Sequence, residues 1–193
     1  WLTEAGVGFA GSFAVTLLAS ELLAYWLHRA FHAVPWLWRV HAVHHSDTET
    51  DVTTAHRHHP FEVLAGSLST LILLLLLGPS SGVVLAYSLF RLITDAFSHA
   101  NISLPDRLNR FLNLVMVTPD FHRLHHMADV RYTNSNYGSV LPWFDSLFGT
   151  RRSLPADQAL GREYGLEYFR EAADSRLDHL LTMPFRSGFP KAG

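Results

Sequence analysis

The run from Phe61 to Phe97 reads FEVLAGSLSTLILLLLL, then GPSSG at Gly78–Gly82, then VVLAYSLFRLITDAF from Val83. Leu71 to Leu77 is apolar on every face a helix would present, whereas a helix on a water-soluble protein keeps one polar face. Gly78-Pro79-Ser80-Ser81-Gly82 breaks a helix and turns the chain, so the flanking runs form a hairpin. A bilayer core takes about 20 apolar residues as helix. The upstream run Val7 to Leu27 meets that length with Glu21 as its only charge; Phe61 to Leu77 sits at the lower limit. The third run carries Arg91 and Asp95, which at i,i+4 share a face and either pair or turn toward the bundle. The expected fold is all-α: an integral membrane helical bundle with a histidine-rich helical cap on its cytoplasmic side.

That side follows from topology. Helix one ends at His28, helix two begins after His59, and helix three returns to His99, so the histidine clusters gather at one face. Arg29, Arg57 and Arg107 lie close to the helix ends there and the GPSSG turn has no basic residue, which by the positive-inside rule makes the face cytoplasmic. The first run lacks a basic leader, so it is not read as a signal peptide. Beyond helix three we expect a helix from Pro105 or Asp106 to Val117, another after Pro119, short elements over 131–149, and a tail helix near Gly165 to Leu181. The domain reading is a membrane-embedded oxygenase domain over 1–150 and a polar helical tail of that domain over 151–193. The first residue is Trp1, from which we expect an N-terminally truncated or processed chain.

Composition narrows the chemistry. The formal charge is −2, which suggests no nucleic-acid partner. The absence of Cys excludes disulfides, thiolate zinc sites, iron–sulfur clusters and a cysteine nucleophile. Histidine is the outlier: 13 residues, against 15 Lys plus Arg. His28 and His32 are four apart; His41, His44 and His45, and again His122, His125 and His126, have spacings of three and four. Each set therefore lies on one helical face. Eight imidazoles are too many for one ion and suit two. No carboxylate sits at ligand spacing within the clusters, so neither the Glu-x-x-His di-iron bundle nor the 2-His-1-carboxylate triad applies, and His-Glu-x-x-His is missing. Imidazole accepts iron, zinc and copper alike. A membrane setting favours iron, because a lipid offers chiefly inert C–H bonds that require an oxidant derived from O2. Asp95, Asp120, Asp129 and Asp145 are candidate acceptors for the ligands' outward N–H groups. No flavin or haem motif occurs, so electrons come from an external donor protein, with Arg107, Arg110 and Arg123 as a candidate docking surface.

The sequence resembles the membrane fatty acid hydroxylase and sterol desaturase superfamily. The resemblance rests on His28-Arg29-Ala30-Phe31-His32, His41-Ala42-Val43-His44-His45, Arg57-His58-His59-Pro60-Phe61-Glu62, Phe97-Ser98-His99, Phe121-His122-Arg123-Leu124-His125-His126, Asn134-Ser135-Asn136-Tyr137-Gly138 and Trp143-Phe144-Asp145, in order between about Glu21 and Thr150. It implies a non-haem di-iron centre, O2 as co-substrate, and hydroxylation or desaturation of a lipid of sterol, carotenoid or fatty-acyl type. It also implies an endoplasmic-reticulum or bacterial inner membrane and a redox partner such as cytochrome b5 or a ferredoxin. It adds His99 as a ninth ligand and His59 as a lesser candidate, matches His56 and His58 to no functional position, and makes Asn136 a site residue. Asn136, Asp120 and Asp145 are accordingly the candidate catalytic groups. The competing classes are a zinc-dependent membrane lipid hydrolase or isomerase, and a non-catalytic membrane metal-binding protein.

Overall fold

The structure is a computed structural model that describes residues 1–154 and 161–190. The tail expectation over 151–193 therefore falls partly outside the described residues. Those described are helical, joined by turns, with a single isolated bridge between Met127 and Tyr164.

Helix α1 (Phe9–Ala33) and helix α3 (Pro60–Leu77) are long and apolar enough to cross a membrane. On α1 the buried positions are mostly polar: Ser12, Thr16, Ser20 and Glu21, with Tyr25 and, at the histidine end, Phe31. Val15, Leu18, Leu22 and Trp26 face outward. This pattern is inside-out relative to a water-soluble helix. α3 goes further, burying only Glu62, while Leu75 and Leu76 are 73% and 72% exposed. A leucine band that open would be an aggregation surface in water and is ordinary in lipid.

Gly78 caps α3 in the left-handed conformation (φ 61°), its N–H bonded to Leu74 O, and Ser80 Oγ caps helix α4 (Ser81–His99). The N-terminal stub lies across this turn: Leu2 N donates to Leu77 O (2.8 Å), and a Cβ on Gly78 would come within 2.2 Å of the Trp1 nitrogen. The turn and the stub thus share one end, opposite the histidines.

α4 matches α3 in length but is less apolar, carrying Arg91 and Asp95, and it is two-faced: Leu85, Leu89, Leu92 and Ile93 point out, while Tyr87, Thr94 and Ser98 are buried. Arg91 does not pair with Asp95. Its Nη1 donates to Glu21 Oε1 on α1 (3.2 Å), and Glu21 Oε2 accepts from Val140 N (2.7 Å) and Leu141 N (3.1 Å). The charge in each apolar helix is thereby used to bind α1, α4 and the cap together.

Val34 alone separates α1 from helix α2 (Pro35–His45), with Pro35 at the first helical position, where its missing N–H costs nothing. Helix α5 (Asp106–Leu112) stops short of the expected Val117, whose N–H goes instead to Val140 O (2.7 Å). Helix α6 (Pro119–His125) begins on Thr118, whose Oγ1 accepts from Phe121 N. Short helices α7 (Val130–Thr133) and α8 (Trp143–Leu147) complete the cap.

The expected tail helix from Gly165 is largely absent. A 3-10 turn at Ala172–Ser175 and helix α9 (Leu177–Thr182) are all that form. Gly165 and Phe169 take positive φ (89° and 55°), which a continuing helix excludes. The segment instead packs on the outer face of α2. Leu166 and Met183 bury against Ala42 and Val43, Trp38 Nε1 donates to Tyr168 Oη (2.9 Å), and Arg39 donates to Pro184 O (2.7 Å).

Candidate metal centre

The ends of α1 and α4, the whole of α2 and α6 bring nine imidazoles together. His28, His32, His41, His45 and His125 form one group and His44, His99, His122 and His126 another; within each, one nitrogen per ring lies within 4.8 Å of all the others. The groups adjoin: His45 sits 4.5 Å from His125 and 4.6 Å from His126, ring centre to ring centre. α2 serves both, because His41 and His45 are one turn apart while His44 lies on the adjoining stripe.

In the first group the ring orientations are set from outside. The Nδ1 atoms of His28, His32, His41 and His125 lie 2.8, 3.2, 2.7 and 2.7 Å from Tyr137 O, Asn134 Oδ1, Glu62 Oε1 and Ser135 O. Each acceptor holds the proton on Nδ1 and so leaves the Nε2 lone pair facing inward. The Nε2 atoms of His32 and His125, and both nitrogens of His45, are buried with no hydrogen-bond partner among the described residues. In the second group, His99 Nε2 is 3.0 Å from His122 Nε2 and 3.5 Å from His44 Nε2, and His122 Nε2 is 3.2 Å from His126 Nε2. His99 Nδ1 donates to Asp95 O (2.9 Å).

Burial, followed by crowding from the other rings, pushes the pKa of His44, His45, His122, His125 and His126 well below the usual histidine value. These rings are neutral at physiological pH, the state a metal requires. Leaving such nitrogens dry and unpaired costs about 1–3 kcal/mol each. Ligands at about 2.1 Å from one ion stand roughly 3.0–3.4 Å apart at octahedral or tetrahedral angles. The separations in the second group match that spacing, and the nitrogen-only donor set fits two ions.

The other sequence candidates stand elsewhere. His59 caps α3: its Nδ1 accepts from Phe61 N and its Nε2 lies 3.1 Å from Leu181 O, so both nitrogens are engaged outside the two groups. Asp120 pairs with Arg123, and Asp129 caps α7 and pairs with Arg131. Asn136 is fully buried at φ 54°. Its Nδ2 donates to Phe121 O (2.9 Å) and Arg152 O (3.2 Å), and its Oδ1 accepts from Arg152 N (2.8 Å), so it braces α6 and has no free atom for substrate. Asp145 accepts from Tyr137 N (2.8 Å), Gly138 N (2.7 Å) and Thr150 Oγ1 (2.7 Å). It holds the strand of backbone whose carbonyl orients His28 and does not reach the nitrogens itself.

Sequence reasoning missed Glu62 and His58. Glu62 Oε1 accepts from His41 and lies 3.0 Å from His58 Nδ1, and the His58 ring stacks on His44 at 4.3 Å. Burial disfavours the charged form of His58, but the Glu62 carboxylate outweighs it and raises its pKa. The one available signal was the i,i+4 spacing of His58 and Glu62 across the start of α3.

A cavity of about 650 Å³ leads away from the histidines between α1, α3 and α4. It is bounded at one end by His28, His44, His99 and His122, and it runs past Gly66 and Thr70 to Leu74. α3 and α4 each pack on α1 and scarcely touch one another, so the cavity lies along the gap between two helices whose outer faces are apolar.

The chain is 32% identical to very-long-chain aldehyde decarbonylase GL1-11 of Oryza sativa subsp. indica over 147 residues, 75% of this chain and 54% of that protein. It is 30% identical to alkylglycerol monooxygenase of Homo sapiens over 161 residues, 82% of this chain and 34% of that protein. Ornithine lipid hydroxylase OlsE of Rhizobium tropici is 33% identical over 139 residues, 72% of this chain and 41% of that protein. The chain thus spans about half or less of the length of these relatives. No solved structure matches it. Residues 13–150 match the fatty acid hydroxylase family, to which this chain belongs.

Proposed function

We propose that this chain is the catalytic part of an O2-dependent di-iron enzyme that hydroxylates or desaturates a membrane lipid. The observation that carries the reading is the position of two nitrogen-only donor groups at the head of a cavity framed by lipid-facing helices. His28, His32, His41, His45 and His125 would hold one iron, and His44, His99, His122 and His126 the other. When bound, the ions supply the O2 activation and hydrogen abstraction that an unactivated C–H bond demands. The chain's own residues do the rest. Glu62, Tyr137 O, Asn134 and Ser135 O keep the protons of His41, His28, His32 and His125 on their outward nitrogens. Burial keeps the rings neutral, and the cavity holds one substrate carbon at the centre, where about an ångström of register governs rate.

The relatives support lipid as the substrate class, since one is named for alkylglycerol and another for an ornithine lipid. We place the histidine face on the cytoplasmic side, where an external protein donates electrons. The test is expression of the full-length protein with a compatible reductase, metal analysis, O2 uptake and lipid mass spectrometry, with His125→Ala as control. Iron at two per chain and an oxidised lipid absent from the variant are expected. Zinc in natively active protein without oxygen consumption would overturn the reading in favour of a hydrolase or isomerase.

A further inference from the structure

We infer that Asp95 is a substrate-recognition residue that selects lipids carrying a hydrogen-bond donor, a hydroxyl or an amide N–H, within a few bonds of the carbon oxidised. This rests on the cavity being the substrate's, as proposed above. Asp95 lies on the cavity wall one helical turn below His99, roughly 6 Å along the axis. Its carboxylate makes no hydrogen bond among the described residues. The obvious partners are otherwise engaged. His99 Nδ1 donates to the Asp95 backbone oxygen at 2.9 Å, leaving the carboxylate 3.7 Å away, and Arg91 is drawn across to Glu21. Ser20 Oγ, on α1, lines the same cavity, buried and without a hydrogen-bond partner among the described residues.

A partly buried carboxylate that accepts no hydrogen bond, on the wall of a cavity between apolar helices, is costly unless something donates to it. The chain leaves that place open. The sign of the charge narrows the ligand: Arg91 on the wall is paired with Glu21, while Asp95 and Glu62 are acidic, which disfavours a phosphate or a free fatty-acid carboxylate and favours a neutral donor. A group held at Asp95 stands about one turn from the ligands of the second group, which puts neighbouring carbons, and not a distant chain terminus, at the centre.

The test uses the metal-loaded chain in lipid nanodiscs, with tritiated hexadecan-1-ol displaced by unlabelled hexadecan-1-ol or by its methyl ether, which has the chain and the oxygen but no donor. A charge-assisted hydrogen bond predicts that the alcohol competes at least tenfold better on the wild type. Asp95→Ala should bring the two within about twofold while metal content and unfolding temperature stay unchanged, and Asp95→Asn, which keeps an acceptor, should retain part of the preference. Equal competition on the wild type, no saturable retention, a preference that survives Asp95→Ala, or metal loss in Asp95→Ala would each overturn the assignment; the last would make Asp95 a ligand-orienting group. Oxygen uptake in the same preparations, supplied with a reductase and its electron source, separates the two readings. Selective binding without O2 consumption sinks the oxygenase and leaves recognition standing, whereas hexadecane oxidised as fast as the alcohol sinks recognition alone.

Discussion

Replacing Glu62 should loosen one metal far more than the other. Glu62 Oε1 takes the Nδ1 proton of His41 at 2.7 Å, with His41 3% exposed and Glu62 9% exposed. In Glu62→Ala the His41 proton loses its acceptor inside a dry site, and the ring is free to rotate or change tautomer. Losing a group that orients a metal-bound histidine typically weakens metal affinity about 10- to 100-fold, or roughly 1.4–2.7 kcal/mol. Glu62→Gln keeps a carbonyl oxygen facing His41 and loses only the charge, so its affinity should fall by less than about tenfold. The assay is competitive titration of purified, detergent-solubilised protein against a chelator of known affinity, with iron per chain counted at each point. The first group contains His41 and the second does not, so one of the two ions should leave early and the other should hold. Wild-type retention in Glu62→Ala, or equal loss of both ions, would refute the claim that this carboxylate acts through His41.

Three further outcomes follow from the same geometry. His45→Ala should lower metal content from two ions per chain toward one by elemental analysis, while His59→Ala, whose ring nitrogens are both engaged elsewhere, should retain both. The metal-free protein should lose stability on acidification. His44, His45, His122, His125 and His126 have folded pKa values depressed below about 6.5, so the unfolded chain binds more protons below that pH. Their contribution is complete above pH about 6.5 and is lost as pH falls, at up to about 1.4 kcal/mol per histidine per unit, or about 7 for the five; an unfolding temperature equal at pH 7.5 and 5.5 would contradict it. Gly66→Phe should cut turnover more than tenfold with metal content unchanged, because Gly66 lines the cavity and a Cβ there meets no atom within 4 Å, so the ring fills substrate space without disturbing the fold.

The sequence spoke most clearly where chemistry and helical period coincide. Three histidine sets at spacings of three and four declare their faces before any tertiary contact is known, and the structure brings all of them to one end of the bundle. His99 stands alone in its helix and had no local pattern; the family resemblance was the only pointer to it. Glu62 and His41 are 21 positions apart, and Glu21 and Arg91 are 70 apart, so their pairings follow from packing and not from spacing. Arg91 and Asp95 met the i,i+4 rule yet did not pair, because a buried Glu21 offered a better-desolvated partner. Asn136 and Asp145 belong to motifs in which a polar residue looks alike in sequence whether it meets a substrate or ties down backbone; in the structure the hydrogen bonds of both run chiefly to backbone. The tail failed because left-handed backbone at Gly165 and Phe169 has no signature that competes with a run of ordinary helix formers.

The inverted burial of α1 explains why such a centre assembles at this end. Apolar packing between helices gains little when lipid is the alternative neighbour, so polar contacts must fix their relative placement. Glu21 does this at one stroke, binding Arg91 on α4 and two amides of the cap segment 140–141. That cap segment leads back through Asp145 and Gly138 to Tyr137, whose carbonyl orients His28 two turns above Glu21 on the same helix. The loop is closed: a buried charge in the membrane helix sets the position of the backbone that aims a histidine on that helix. A glutamate that reads in the sequence as a flaw in an apolar segment is, in this fold, the link between helix packing and the geometry of the histidines.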